Sequence, residues 1–354
     1  METPARSAAP EPAAAHAPAQ TLPAAATSGP RHRGAVRRPP VRAWLQPAVI
    51  ALVVVAAFIT CYIGLQRDPR PHHLPVAVTA TALPDDMREA LGGSVDVRPV
   101  ADAAAAHRAV TSHDVVAALS ADGRHGLRLE VAGADGASTT SAVKALVGAY
   151  AHGAGRHLTT EDVVPLTRFD ARGLAGFYMA FGVTLAGFVL GSNALGLAGV
   201  LNLRHRFRLL AGASLAIGTV AAVIAGPVLA AVPAPVLPLI LTLTLLAAAA
   251  AFTTKLLGTY LGPVGVPVAT LLLLTVGNAT SGATIGADLL PAAARAVSAL
   301  LPPGAAFRAI TDLSYFDGAH AAGPVTTLAV WAVGAALLLG LRARRRRPRT
   351  PAPA

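Results

Sequence analysis

Residues 236–254 read VLPLILTLTLLAAAAAFTT, nineteen consecutive positions without an Asp, Glu, Lys or Arg. A helix of about 20 apolar residues is what roughly 30 Å of hydrocarbon requires, so this stretch is expected to cross a membrane. Four more stretches of the same kind, 174–199, 209–231, 263–283 and 323–341, lie in the same half of the chain. A sixth, Trp44–Ile63, stands alone near the N-terminal end. The expected fold class is therefore an α-helical integral membrane protein with six transmembrane helices and a small α/β extracytoplasmic domain inserted after the first.

Composition agrees with this reading. Of 354 residues, 54% are hydrophobic and 13% charged, and the mean hydropathy is +0.55. Soluble chains carry about twice that share of charge. The net charge of +11 could indicate a nucleic-acid ligand, but its placement argues against one. Sixteen basic residues fall in the two tails and short loops: Arg6, Arg31, Arg33, Arg37, Arg38, Arg42, Arg204, Arg206, Arg208, Lys255, Arg342, Arg344, Arg345, Arg346, Arg347 and Arg349. Only Glu2 and Glu11 oppose them, while residues 67–172 and the last loop are net acidic. That asymmetry is the positive-inside pattern; it places both termini in the cytoplasm and leaves no call for nucleic acid. Lipid is the expected surrounding partner. Lys144 and Lys255 are the only lysines among 29 basic residues, and Ala, Gly and Pro abound, as in a high-GC bacterial genome. A multi-pass protein of the bacterial plasma membrane is expected.

Residues 1–43 have few large apolar side chains and are expected to form a disordered basic cytoplasmic tail. Trp44–Gln66 is expected as a retained signal anchor, with Trp44 and Tyr62 near its two interfaces. In 67–172, strand-like runs at 76–80, 95–100, 115–120, 127–131 and 163–166 alternate with helix-like runs at 84–91, 102–113 and 138–150. That alternation predicts a small α/β domain. Its lone-standing core has no disulfide to help it, because Cys61 is the only cysteine. Residues 173–343 form the five-helix part, with an outer re-entrant segment at 286–320, and 344–354 a second basic tail. Within 286–320, Leu289, Leu290, Ala293, Ala296, Val297, Leu300 and Leu301 recur at helical spacing, which predicts a short interfacial or re-entrant helix. Pro302-Pro303-Gly304 is expected to stop it, and Phe307–Leu313 to form a second short helix.

Chemistry-bearing motifs are sparse. No G-x-x-x-x-G-K-[ST], H-E-x-x-H or C-x-x-C occurs, so no phosphate loop, no metal site and no cofactor is predicted. No catalytic residue is assigned, and the chain is not expected to be an enzyme. The spans hold no Asp, Glu, His or Arg well inside, which disfavours a proton-coupled carrier. His72, His73, His107, His113, His125, His152 and His157 are expected as solvated surface side chains. Asp85, Asp86 and Glu89 are expected to complement a helix N-terminus. Gly187-x-x-x-Gly191 is expected to let two helix backbones approach closely. Pro227, Pro263 and Pro267 kink or break spans, and Lys255 is expected to snorkel at the cytoplasmic rim.

A family resemblance adds to this. The pieces that carry it are Asn278-Ala279-Thr280-Ser281-Gly282, Leu289-Leu290-Pro291, Leu301-Pro302-Pro303-Gly304-Ala305 and Tyr315-Phe316-Asp317-Gly318, with Asp162-Val163-Val164-Pro165-Leu166 upstream. The chain resembles the ABC-2-type permease-like proteins of actinobacteria, the group that includes the phage-infection-protein-like membrane proteins. The likeness covers the one-plus-five layout, roughly residues 44–343. It implies an export permease subunit that forms a homo- or hetero-dimer and borrows a separate P-loop ATPase. It singles out Asn278, Ser281, Gly282, Leu290, Pro291, Pro302, Pro303, Gly304, Phe316, Asp317 and Gly318 without giving them a role. The sequence departs from simple members at RHRGAVRRPPVRAW (31–44), where Pro39 and Pro40 break the amphipathic helix expected there. The Asn202–Arg208 loop is the remaining surface for an ATPase. The alternative is a non-transporting membrane scaffold or receptor, a secretion accessory or phage receptor, acting through the outer domain.

Overall fold

The structure is a computed structural model that describes residues 41–79 and 83–345. The expectations for the N-terminal tail up to residue 40, for the side chain of Trp44 and for residues 346–354 lie outside the described residues. The chain is mainly helical. Five of its helical runs are long and apolar enough to cross a membrane: Leu45–Gln66, Ala175–Gly196, Leu203–Val228, Val236–Ala279 and Ala322–Arg345. By length and composition it is a multi-pass helical membrane protein.

Helix α1 (Val41–Gln66) carries the first of these runs, whose most apolar window buries none of its residues against the rest of the chain. After it comes a mixed five-stranded sheet. Strand β1 (Leu74–Val78), helix α2 (Leu83–Leu91), β2 (Val95–Pro99), α3 (Ala103–Thr111), β3 (Ala117–Asp122), β4 (Gly126–Val131), α4 (Ala137–Gly153) and β5 (His157–Asp162) follow in order. The strands lie in the order β2-β1-β3-β4-β5, with β3 and β4 antiparallel and the other neighbours parallel. Alternation along β1 sends Leu74, Val76 and Val78 to one face, where Met87 of α2 and Val143 and Val147 of α4 cover them. The opposite face offers the small Ala77 and Ala118 and packs on Ala106 and Val110 of α3.

One strand falls elsewhere than expected. The run 163–166 is not a strand; β5 precedes it as HLTTED, almost wholly exposed. An edge strand facing water need not alternate, so it gives no periodic signal. Val163 and Val164 instead close the sheet's end through Val163 N to Val131 O and Ala134 N to Val164 O, both 3.0 Å.

The remaining helices are α5 (Ala175–Gly196), α6 (Leu203–Val223), α7 (Val236–Leu261), α8 (Gly265–Ala269), α9 (Gly277–Ala279), α10 (Ala292–Leu300), α11 (Pro302–Tyr315) and α12 (Ala322–Arg345). Asp170 starts α5 by accepting from Leu174 N at 2.9 Å and Ala175 N at 3.1 Å, and Asn202 caps α6 at His205 N. Pro227, which has no N–H to give, sits in the widened π-helical turn Ile224–Val228 that ends the α6 run. Among the span-length helices α5, α6, α7 and α12, α7 is the most buried, and it packs against α5, α6, α11 and α12. Gly187 and Gly191 of α5 lie directly on it. A Cβ at Gly187 would stand 2.5 Å from the Ala247 carbonyl, and one at Gly191 would stand 2.9 Å from Thr254 Cβ. Here the two backbones approach as small residues one turn apart allow.

The run Val236–Ala279 has 44 residues, about 66 Å if straight. It is not straight. α7 ends at Gly262, whose φ of +60 suits glycine, and Pro263 sits in the short 3₁₀ turn that follows. A Cβ on Gly265 would run into the Leu257 carbonyl, so the chain turns back on α7 at once. It returns through α8, a π-helical stretch Thr270–Val276 and α9. Lys255 corrects an expectation. It does not snorkel at a rim; it is 3% exposed and its Nζ donates to the Ala194 carbonyl at 2.7 Å. The close α5–α7 contact covers its stem and holds its head among backbone. α12 runs through Arg344 and Arg345.

Candidate functional site

Helix α3 ends in a left-handed residue. Ser112 is its C-cap, His113 N donates to Val110 O at 3.0 Å, and Asp114 N to Ala109 O at 3.0 Å. This is the Schellman arrangement, in which glycine usually holds the left-handed position. Here His113 holds it, at φ +61. A left-handed non-glycine residue costs on the order of 1 kcal/mol or more. The ring is placed by that geometry, pointing away from solvent.

Both ring nitrogens meet carboxylates. Nε2 lies 2.8 Å from Asp135 Oδ1 and Nδ1 lies 2.6 Å from Asp312 Oδ1, with side-chain exposures of 26% for His113, 6% for Asp135 and 4% for Asp312. Phe316 stacks on the ring at 3.9 Å between centroids with planes 6° apart. Burial by itself would lower the His113 pKa, but hydrogen bonds to Asp135 and Asp312 and their charges outweigh it and raise it to about 10. With both nitrogens protonated, His113 donates to each carboxylate. Burial raises the Asp135 pKa, opposed by the hydrogen bond and charge of His113. Asp135 Oδ2 is buried with no partner among the described residues, and a cavity of about 30 Å³, the space of one water, adjoins it.

The three polar residues come from distant parts of the chain. Asp135 ends the short 3₁₀ turn Gly133–Asp135. Asp162 fixes that turn, its Oδ1 accepting from Gly133 N at 2.8 Å, and a Cβ at Gly133 would collide with this carboxylate. Gly136, at φ +90, passes the chain into α4. Asp312 stands in the last turn of α11, where a negative charge opposes the helix dipole unless a cation answers it. His113 answers it.

Phe316 makes the joint apolar as well as ionic. It is 2% exposed and belongs to the core formed by Ala77, Ala106, Val110, Ala118 and Val164. The second face of the sheet, lined by alanines and covered by a nine-residue helix, is thus completed by a ring from some 200 residues later. Asp317 and Gly318, at φ +50 and +76, turn the chain away behind it, and Gly318 N bonds Asp312 O at 2.8 Å.

Two further stitches join the same bodies. Gly286 N donates to Ser138 Oγ at 3.0 Å. His72 N bonds Asp288 O at 3.0 Å, and Arg295 Nη1 returns to His72 O at 3.0 Å. The Asp288 carboxyl, its pKa raised by burial, lies 4.0 Å from the Arg295 guanidinium. Gly286 lies tight against the start of α4, since a Cβ on it would strike Thr139 Oγ1.

The residues marked by the family resemblance mostly shape this segment. Asn278, 1% exposed, donates from Nδ2 to Leu273 O at 3.2 Å and closes the π-helical stretch. Ser281 Oγ accepts from Ala283 N at 3.4 Å, and Gly282 is left-handed at φ +88. Leu290 packs with Ile285, Leu289 and Ala294, touched by Leu65 and Ala142. Pro291 caps α10. Pro302 and Pro303 do more than stop α10: they occupy the first positions of α11, where the missing N–H costs nothing. Pro303 lies against Gly277, whose Cβ would come within 2.8 Å. Gly304 sits under the Ser298 carbonyl, which Arg308 also binds at 3.3 Å.

One reading is corrected here. His113 is no solvated surface histidine. On α10, Ala294 and Ser298 form the buried side, while Ala293, Ala296 and Leu300 of the apolar stripe are exposed. The polar Ser298 finds protein partners in Arg308, and of the apolar stripe Leu289, Leu290 and Leu301 are buried, so only the part on α10 itself is left uncovered. One signal for the joint was present in the sequence. Ala305, Ala309, Asp312 and Phe316 recur at helical spacing, and a carboxylate on an otherwise apolar stripe demands a buried partner.

Comparison of the chain with protein-family models, curated proteins and solved structures returns no match.

Proposed function

We propose that the chain is an export permease subunit of the ABC-2-like kind, working with a separate ATPase. In this reading it crosses the bacterial plasma membrane six times. α1, α5, α6, α7, the return stretch from α8 to α9, and α12 are the crossings. Both termini are cytoplasmic and the α/β domain is outside. The observation that carries the reading is the joint at His113 and Phe316. It makes the α/β domain and α11 one mechanical body, and α11 packs on α5, α7 and α12. A load taken up by the domain therefore reaches the bundle without slack, as a protein that couples an outer event to rearranging spans requires. The placement of Arg204, Arg208 and Arg344 around one cavity supports the orientation, because it puts the α5–α6 loop and the end of α12 at the same end of the bundle. The unburied α1 supports a dimer, in which a second copy would cover it.

The competing reading is a non-transporting receptor or scaffold. It is favoured by β5, an exposed strand at the sheet's edge, the kind of edge that accepts a partner strand. Mild-detergent purification from the native host, with partners identified by mass spectrometry, separates the two. A P-loop ATPase recovered near one-to-one supports the permease. Recovery alone or with cell-envelope proteins only, at native expression, removes it in favour of the receptor.

A further inference from the structure

The basic end of the bundle carries two adjoining hollows. The first, about 690 Å³, is lined by Asn202, Arg204 and Arg208 at the start of α6 and by Gly340 and Arg344 of α12. The second, about 410 Å³, is an apolar groove formed by Phe207, Phe252, Val333, Leu337 and Leu341. The two share Phe207, Gly340 and Arg344. We infer that together they form a binding site for an anionic phospholipid, with its phosphate among Arg204, Arg208 and Arg344 and an acyl chain in the groove along α12.

Charge is the first argument. The sequence holds no Asp or Glu between Asp170 and Asp288 or after Asp317. Among the described residues, none of the three arginines has a carboxylate partner. Three arginines lining one mouth with no acid beside them attract an anion, and their planar forks suit phosphate oxygens. The start of α6 adds the positive end of a 21-residue helix to the same mouth.

Shape is the second. From Ala332 to Arg344 the groove follows α12 for about 18 Å, close to the roughly 15 Å of hydrocarbon in one leaflet. A free phosphate would leave this groove unused, and an acidic protein would meet the arginines but not fill it. The residues that follow, with Arg346, Arg347 and Arg349 and no acid, carry the same sign as the mouth and are repelled by it. A second copy would bring arginines to arginines. Basic pockets between membrane helices are where anionic headgroups are held.

The test uses the full chain, purified in detergent and titrated with phosphatidylglycerol or phosphatidylcholine of identical acyl chains, with bound lipid counted by native mass spectrometry. Two variants separate the parts. R204Q/R208Q/R344Q removes the headgroup partners. Gly340→Leu fills the groove, and the space there is open, so the fold is kept. Phosphatidylglycerol is expected to bind well ahead of phosphatidylcholine, with a loss on the order of a hundredfold in the triple variant. Gly340→Leu is expected to lose the lipid with all three arginines in place. Equal binding of the two lipids, or binding in the triple variant within threefold of wild type, overturns the site. Displacement of the lipid by inorganic phosphate with unchanged affinity in Gly340→Leu would make it a plain phosphate site and also overturn the proposal.

Discussion

Replacing His113 by glycine tests the joint most directly. Glycine is the suitable replacement because the position has φ +61, so the ring is lost without added backbone strain. Removal leaves Asp135 and Asp312, 6% and 4% exposed, facing one another with no cation between them. Breaking a buried charge pair in this way costs roughly 3–5 kcal/mol, or a factor of about 10² to 5 × 10³ in the equilibrium between the docked and undocked domain. Hydrogen exchange followed by mass spectrometry, on the protein in detergent or nanodiscs, reads that equilibrium. Peptides covering the end of α3 and the end of α11 should exchange about 10² to 5 × 10³ times faster, while the inner strand β1 changes little. The pH dependence supplies a second readout with a definite sign. The His113 pKa is raised from 6.5 to about 10 in the fold, so its stabilisation is complete below pH 6.5 and is lost as pH rises toward 10. In His113→Gly the order of events differs: two buried carboxylates repel, and lowering the pH protonates one and restores docking. After correction for the intrinsic exchange rate, wild type should therefore loosen between pH 7 and 10, and the variant should tighten as the pH is lowered. The triple change H113L/D135N/D312N, which removes every charge, should recover most of the protection. Exchange at both peptides within tenfold of wild type, with the same pH slope, would refute the clamp.

Four other changes have defined outcomes. Phe316→Ala should cost about 3–5 kcal/mol through the cavity it leaves in the sheet's second face, with the same peptides deprotected as in His113→Gly but no change in pH slope. Asp312→Asn keeps the shape and removes one of the two charges that raise the His113 pKa, so the loosening of the joint should move to lower pH in an exchange titration. Gly187→Leu should separate α5 from α7, because even a Cβ would stand 2.5 Å from the Ala247 carbonyl; thermal melting in detergent should fall, whereas Gly182→Ala, with open space around it, should leave the melting point within a degree or two. Lys255→Met should melt at or above the wild-type temperature, since it trades a buried cation held by one carbonyl for an apolar chain of similar length; a marked fall would show that the bond to Ala194 is needed for packing.

Much of the fold was legible because its signals are local. A run such as 236–254 needs no partner to be recognised, and the alternation of strands and helices in 67–172 follows from side-chain periods of 2 and 3.6. The limits of that reading also have local causes. β5 is polar but for Leu158 because its other side chains face water, so no alternation marks it. The stripe on α10 correctly marks an apolar face, but sequence does not say whether such a face meets protein or lipid. Ala294 and Ser298 take the protein side. Lys255 looked like a rim residue because the expected span ended at Thr254, whereas α7 continues to Leu261.

The sequence alone determined that this chain is a multi-pass helical membrane protein, since covering backbone polar groups in lipid leaves an apolar chain of this length with a helix as its solution. It also determined where the basic residues fall along the chain, because charge placement is written residue by residue. Only the tertiary structure decided that His113, Asp135, Asp312 and Phe316 meet. Each is ordinary in its own segment, and their meeting depends on a left-handed cap, a glycine-flanked turn and the last turn of a helix lying side by side. The separation of His113 from Asp312 along the chain is 199 residues, far beyond any periodicity. Burial, which turns a common pair of charges into a clamp, is a property of the packed molecule alone.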